Sequence, residues 1–240
     1  MAQAINTSIS LRVLARLLSY PDAALRADLP DMRAALLAER ALCAARKDEL
    51  YALIETLAHG DALDHEAQYV ELFDRGRATS LHLFEHVHGD SRDRGPAMVD
   101  LVQTYEAAGL FLGPGELPDF LPVLLEFASS QPSSQARSLL GEMAHLFNAI
   151  FNALQQRKSP YASALGALLE LAGETAHAVA VVPDEALDEA WEEPEVFGGC
   201  SSKGQIKPGQ EKTGQAIQPI HFVKAPSAGA KASAPTGVPS

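Results

Sequence analysis

The sequence predicts an all-α fold, a single helical-bundle domain followed by a disordered C-terminal tail. Three observations point there. Ala and Leu dominate a chain of 240 residues that is 47% apolar and only 6% aromatic, a mix that suits helices better than a β-sandwich. Apolar residues recur at spacings of three and four from Leu11 to Ala172, and no segment clearly reads as a strand. From Gly198 onward, 28 of 43 residues are Gly, Pro, Ser, Lys or Ala, which leaves too little apolar content to offset the entropy of ordering. The expected layout is a helical domain over 1–182, an acidic segment over 183–197 and a tail over 198–240. The length supports one sizeable core.

The helices follow in order. Ser10 is a candidate cap for a first helix with Leu11, Leu14, Leu17 and Leu18 on one face, stopped by Tyr20-Pro21. Asp22 restarts the chain, with Leu25 and Leu29 in a short amphipathic segment before Pro30. Pro30-Asp31 is expected to open a new segment carrying Met32, Leu36, Leu37, Ala41 and Leu42 on one face. Cys43 reads as a small core residue within this Ala/Leu pattern. Leu50, Leu53, Ile54 and Leu57 form the next stripe, ended by His59-Gly60. Asp61 then precedes a helix with Leu63, Ala67, Val70 and Phe73 facing the core.

The second half repeats the pattern. Met98, Leu101, Val102 and Tyr105 make a stripe that ends at Gly109. Gly113-Pro114-Gly115 is a turn, Pro118 suits an extended entry, and Pro122 suits the first turn of a helix. After Gln131-Pro132, one long helix is expected from Leu139 to Leu154. Ser159-Pro160 ends it, and Tyr161, Leu165, Leu168, Leu169 and Ala172 form a last stripe that the pattern lets run towards Val182. In the acidic segment, Leu187 and Trp191 either dock a short helix or sit in a solvated run. An apolar island, Ile217 to Val223, interrupts the tail.

The formal charge of −12 is unevenly spread. Residues 1–197 hold 14 Lys+Arg against 30 Asp+Glu, and residues 198–240 hold 5 Lys against a single Glu. An acidic body repels nucleic acid and anionic lipid and attracts basic segments. Cys43 and Cys200 are far apart and belong to no C-x-x-C pattern, so neither a disulfide framework nor a zinc ribbon is indicated. No signal-peptide pattern opens the chain and no apolar run would span a bilayer, so a soluble, cytoplasmic protein without stable membrane association is expected.

Charge, imidazole and aromatic residues concentrate between Tyr69 and Met98. Thr79 and Ser80 are candidate caps for a short helix Leu81–His88, Gly89 suits its left-handed end, and Gly95-Pro96 opens the next helix. The stretch reads as a charged elbow, a place where function concentrates. Within it His82-Leu-Phe-Glu85-His86 matches H-x-x-E-H, in which two histidines one turn apart hold Zn²⁺ and the glutamate acts as base. That pattern needs a third ligand, and none is evident. The alternative is that these groups brace the elbow. Triad, dinucleotide and phosphate-loop motifs are missing, and basic residues lack aromatic interleaving. No catalytic residue is assigned. The residues alone describe an acidic helical protein suited to binding a basic amphipathic peptide in a helix-lined groove.

Arg75-Gly76-Arg77-Ala-Thr79-Ser80-Leu, then Leu83-Phe84-Glu85-His86-Val-His88-Gly89-Asp90-Ser91-Arg92-Asp93-Arg94-Gly95 and Ala97-Met98-Val-Asp100-Leu101, resemble the NarJ family within the wider TorD/DmsD group. Leu17-Leu18-Ser-Tyr20-Pro21 and Glu116-Leu-Pro118-Asp119 add to the resemblance, which covers about residues 5–195. It implies an all-helical cytoplasmic chaperone that binds the N-terminal segment of the nitrate reductase α subunit. It also implies that the chaperone holds that subunit for insertion of the molybdenum cofactor (Mo-bis-MGD) and for membrane attachment, and keeps no cofactor itself. A chaperone for a different molybdoenzyme and a zinc hydrolase are the alternatives. The family motif implicates Arg75, Arg77, Glu85, His86, His88, Asp90, Arg92, Asp93 and Arg94 in partner binding. Arg92 and Arg94 are expected to pair within the turn, and Glu85 and Asp90 to meet a basic ligand. A second candidate segment contains Glu116, Asp119, Phe120 and Leu124. The chain departs from the pattern at Phe120, where the group usually has His after Pro-Asp, and this puts the part of that position in ligand binding in question.

Overall fold

The computed structural model describes residues 6–89 and 91–179, and ten α-helices account for most of them. In chain order they are α1 (Ser8–Leu17), α2 (Ala23–Ala38), α3 (Ala44–Ala58), α4 (Ala62–Phe73), α5 (Leu83–Val87), α6 (Arg94–Ala107), α7 (Leu121–Ser130), α8 (Ser133–Glu142), α9 (Ala144–Gln156) and α10 (Ala162–Ala172). A 3-10 turn, Arg77–Thr79, lies between α4 and α5. Among the described residues there is no strand, only an isolated antiparallel bridge between His82 and Phe120. The expectations about the acidic segment from Pro183, the tail, Cys200 and Trp191 fall outside the described residues, as does Asp90.

The core is built around α10. Every residue from Ala162 to Leu169 is buried, as are Leu171 and Ala172, so this helix has almost no solvent face. A helix apolar all round belongs inside a protein. α9 and α8 pack on it, α3 and α1 close its remaining sides, and α7 lies against α1. Small residues at Ala162, Ser163, Ala164, Gly166 and Ala167 let these neighbours approach, and Leu165, Leu168 and Leu169 interdigitate with them. Each buried leucine stabilises by about 1.5–3 kcal/mol relative to an exposed one. Gly173, at φ +85, ends the helix in the left-handed conformation that glycine adopts without penalty. The stripe therefore stops well short of Val182, and residues 174–179 are exposed and non-helical.

Several boundaries depart from expectation. α1 begins at Ser8, so Ser10 is a buried helical residue and not the cap. α2 runs straight through Pro30. Leu25, Leu29, Met32 and Leu36 keep one continuous buried stripe across it, Asp22 accepts from Leu25 N at 2.7 Å to start the helix, and Pro30 itself is exposed. One lost helical hydrogen bond on the solvent side is outweighed by that apolar face. Leu37 lies opposite the stripe and is exposed. Cys43 is exposed too, with its N–H and thiol directed at Glu170. The long helix expected from Leu139 to Leu154 is two helices that meet at Met143. Gly141, a weak helix former, precedes the break, and α8 and α9 each pack separately on α10.

Two helices sit at the edge of the bundle. α4 buries Tyr69 and Phe73, while Leu63, expected in the core, is 73% exposed and Ala67 is exposed beside it. Tyr69 and Phe73 form an aromatic cluster with Tyr161, and Tyr69 donates to the Leu18 carbonyl at 2.7 Å. These contacts set the rotation of α4 and turn its first stripe outward. α6 buries only Tyr105, whereas Met98, Leu101 and Val102 are half-buried. Tyr105 packs on Phe127 and donates to the Pro118 carbonyl at 2.8 Å.

Truncating the central helix should cost far more than truncating its periphery. Leu168→Ala is expected to lower stability by about 2–5 kcal/mol. Leu37→Ser should change it by less than about 0.5 kcal/mol. Urea denaturation of both variants checks this, and equal midpoints would contradict the central place of α10.

Candidate functional site

The elbow is assembled from the end of α4 to the start of α6. Gly76 opens it because nothing larger fits. A Cβ there would lie 2.6 Å from the Leu72 carbonyl oxygen and 2.9 Å from the Arg157 guanidinium. Thr79 is buried and its hydroxyl donates back to the Leu72 carbonyl, fastening the 3-10 turn to α4. Thr79 therefore is not the expected helix cap. Ser80 is not the cap either: its hydroxyl accepts from His82 N at 3.2 Å in the turn before the helix, and His82 stands at the N-cap position of α5. The short helix α5 starts at Leu83, two residues later than its sequence suggests, and Gly89 ends it at φ +51 as expected. Pro96 falls in the first turn of α6, where its missing N–H costs nothing.

A buried carboxylate joins this elbow to α7. Asp119 has no exposed surface. Its carboxylate accepts from Phe84 N at 3.3 Å, lies 3.4 Å from His82 Nδ1 and faces the Arg94 guanidinium at 3.6 Å. The backbone adds two bonds. Leu83 N donates to the Asp119 carbonyl at 3.0 Å, and Leu121 N donates to the Leu81 carbonyl at 2.9 Å. Arg94 also lies 3.9 Å from Glu85. A buried charge is tolerated only when paired and hydrogen-bonded, and Asp119 meets that condition through the Arg94 guanidinium, the His82 ring and a backbone N–H.

The two candidate segments thus meet, but not through all of their residues. Glu85, Arg94, Asp119 and Phe120 come together, with His82, the histidine that the sequence offered either as a zinc ligand or as a brace of the elbow, in the bracing role. Phe120 stacks on the His82 ring at 5.2 Å. His86 Nε2 lies 2.8 Å from the Ser80 carbonyl, so it donates inward and braces the turn. His88 packs edge-on against Phe84. Arg75 pairs with Glu71 one helical turn back on exposed α4, and the Arg77 guanidinium lies over Gly89. Arg92 and Asp93 are exposed, and the Asp93 carboxylate accepts from the Ser91 hydroxyl. Glu116 accepts from Gly113 N at 2.7 Å in an exposed loop, and Leu124 is core.

The H-x-x-E-H pattern depends on both histidines standing on one helix. His82 precedes α5 in extended backbone and faces Asp119, while His86 faces the Ser80 carbonyl. Among the described residues no three His, Cys, Asp or Glu side chains gather as a metal site.

The hydrogen bond to Asp119 raises the His82 pKa above its ordinary 6.5, against the opposing effect of burial. A histidine with a raised folded-state pKa contributes stability that is fully present below about pH 6.5 and is lost as pH rises through the raised value. His82→Gln is therefore expected to destabilise the chain more at about pH 5.5 than at about pH 8.5. Thermal midpoints of both proteins at the two pH values check this, and an equal gap would remove the His82–Asp119 bond as its source.

Comparison with known proteins agrees with this architecture. Residues 22–166 match the family described as nitrate reductase delta subunit. The chain is 46% identical over 201 residues to the nitrate reductase molybdenum cofactor assembly chaperone NarJ of Escherichia coli K12, covering 78% of this chain and 84% of that one. It is 40% identical over 198 residues to NarW of the same organism, covering 78% and 82%. With NarJ of Bacillus subtilis it shares 33% over 166 residues, covering 68% and 88%. A crystal structure from Archaeoglobus fulgidus, described as a redox enzyme maturation protein, superposes with a TM-score of 0.50 at 20% identity, covering 70% of this chain and 94% of that one, a likeness of fold alone. With a family match spanning more than half of its length and relatives matched over most of theirs, the chain belongs to the nitrate reductase delta subunit family, that of the NarJ assembly chaperones.

Proposed function

We propose that this protein is an assembly chaperone for respiratory nitrate reductase. In this reading it binds the N-terminal segment of the catalytic α subunit in the cytoplasm, holds the subunit while the molybdenum cofactor is inserted, and releases it for membrane attachment. The observation that carries the reading is the 46% identity to the E. coli chaperone across 84% of that protein. The physical features support it. Residues 1–197 carry 30 acidic against 14 basic residues, which favours a basic segment and disfavours nucleic acid. Among the described residues no helix is long and apolar enough to cross a membrane. The molybdenum cofactor is cargo for the partner, so the chaperone itself needs no permanent cofactor and no catalytic group.

Within the elbow, the assignment that follows is a division of labour. Asp119, Arg94, His82 and His86 hold the shape. Arg75, Arg77, Glu85, His88, Arg92 and Asp93 form the partner-facing set, to which the family motif alone adds Asp90, and the Phe120 ring stacked on His82 adds apolar surface. Glu85 is about one-third exposed, shared between Arg94 and solvent, so it can accept a second cation.

The reading is tested in cells that make the reductase but lack this chain. The α subunit purified from them is expected to contain little molybdenum, and restoring the chain should restore the metal. Full molybdenum content without the chain would overturn the proposal. In calorimetry with a synthetic α-subunit N-terminal peptide, Glu85→Gln is expected to weaken binding about fivefold, the scale of one partly exposed charge contact.

A further inference from the structure

After α10 the chain returns to α9, and one of its residues is gripped there. Gly173 leaves the helix in the left-handed conformation, and residues 174–179 follow, exposed and non-helical. At His177 both backbone groups are taken by a single side chain. The His177 N–H donates to Asn148 Oδ1 at 3.0 Å, and its carbonyl accepts from Asn148 Nδ2 at 3.0 Å. Asn152, one turn further along α9, donates to the same carbonyl at 2.9 Å and to the Asn148 carbonyl at 2.7 Å. The His177 ring takes no part in this and lies 3.4 Å from the Thr175 carbonyl of its own segment. Recognition is therefore of main chain only. It resembles one rung of an antiparallel ladder, with an asparagine amide in place of the second strand.

The two sides of the contact need each other. Asn148 is 1% exposed and is the only polar residue among those that α9 buries, in a row with Leu146, Phe147 and Ile150. A buried amide is costly unless hydrogen-bonded, and His177 supplies both a donor and an acceptor for it. The segment in turn has little else to hold it. Glu174 N donates to the Leu169 carbonyl at 2.9 Å, which only completes the end of α10. Among the described residues, none from 175 to 179 makes another hydrogen bond to the bundle, and none of them is buried. Ordering such a stretch costs backbone entropy that no apolar burial offsets, so the asparagine bonds are what seat it. Exposed backbone bonds without buried apolar contacts also mark a segment that opens locally, well below the cost of global unfolding. We propose that Asn148 and Asn152 form a main-chain receptor on α9, with residues 174–179 as its occupant, a strap that opens and closes as a unit while the bundle stays folded. Its ligand class is extended polypeptide backbone, whatever the side chain at the gripped position, provided that the N–H is present.

Cleavage of the full chain after Glu174 by a glutamate-specific protease under native conditions, with the site followed by mass spectrometry, tests this. The rate reports the open fraction when opening is fast relative to cleavage. Asn148→Leu removes both bonds while keeping the volume and the apolar row of α9, and is expected to speed cleavage at Glu174 about tenfold. Asn152→Ala, at a half-buried position and removing one donor, should speed it about threefold. His177→Ala should leave the rate within about twofold of the wild type, because its backbone groups are intact. The thermal midpoints of all three are expected to stay within about 2 °C of the wild type. Cleavage at the wild-type rate in both asparagine variants would overturn the receptor. A rise for His177→Ala as large as that for Asn148→Leu would show that the side chain is read, and overturn the main-chain assignment. Faster cleavage with a midpoint drop as large as that of Leu168→Ala in the asparagine variants would mean that strap and bundle unfold together, and would overturn its separate opening. Should Asn148→Leu fail to fold, Asn152→Ala and His177→Ala decide the same points.

Discussion

The burial of α10 on every side is the constraint from which the rest of the structure follows. A helix without a polar face must be surrounded, and α1, α3, α8 and α9 surround it. Its small residues decide how closely. Gly166 is the tightest case, since a Cβ there would come within 2.7 Å of the Arg46 guanidinium carbon, which crosses α10 on its way to Glu49 and Glu170. Once these helices have closed the centre, α4, α5 and α6 are left at the edge. They bury only Tyr69, Phe73, Leu83 and Tyr105 and leave their other residues half-buried or exposed. The surfaces with a functional claim are on these edge elements because they are the ones the core does not need.

Asp119 supplies the second constraint. The elbow is a succession of short pieces, a 3-10 turn, a five-residue helix and a helix start, none of which would hold its shape alone. The carboxylate, the two backbone bonds beside it and the Tyr105 bond to Pro118 tie these pieces to the entry of α7. Removing one partner from such a buried cluster typically costs about 3–5 kcal/mol, because a charge is left without compensation.

Most of the fold was legible in the sequence because helix formation is local. The three- and four-residue periodicity, the restarts at Asp22 and Asp61, Gly89 as a left-handed end and Pro122 in a first turn all depend on a few neighbouring residues. The acidic balance and the elbow motif were legible for the same reason, being properties of composition and of one continuous stretch. What the tertiary structure alone decided was which of two apolar faces a helix would bury. α4 carries one stripe at Leu63, Ala67 and Val70 and another at Tyr69 and Phe73, and only the ring contacts with Tyr161 and the Leu18 bond chose between them. The same holds for the continuity of α2 through Pro30, which a buried face on other helices secures. It holds too for the partnership of His82 and Asp119, 37 residues apart in the chain. Local rules see spacing along one element. They do not see the neighbour that makes one face the inside and leaves the other exposed.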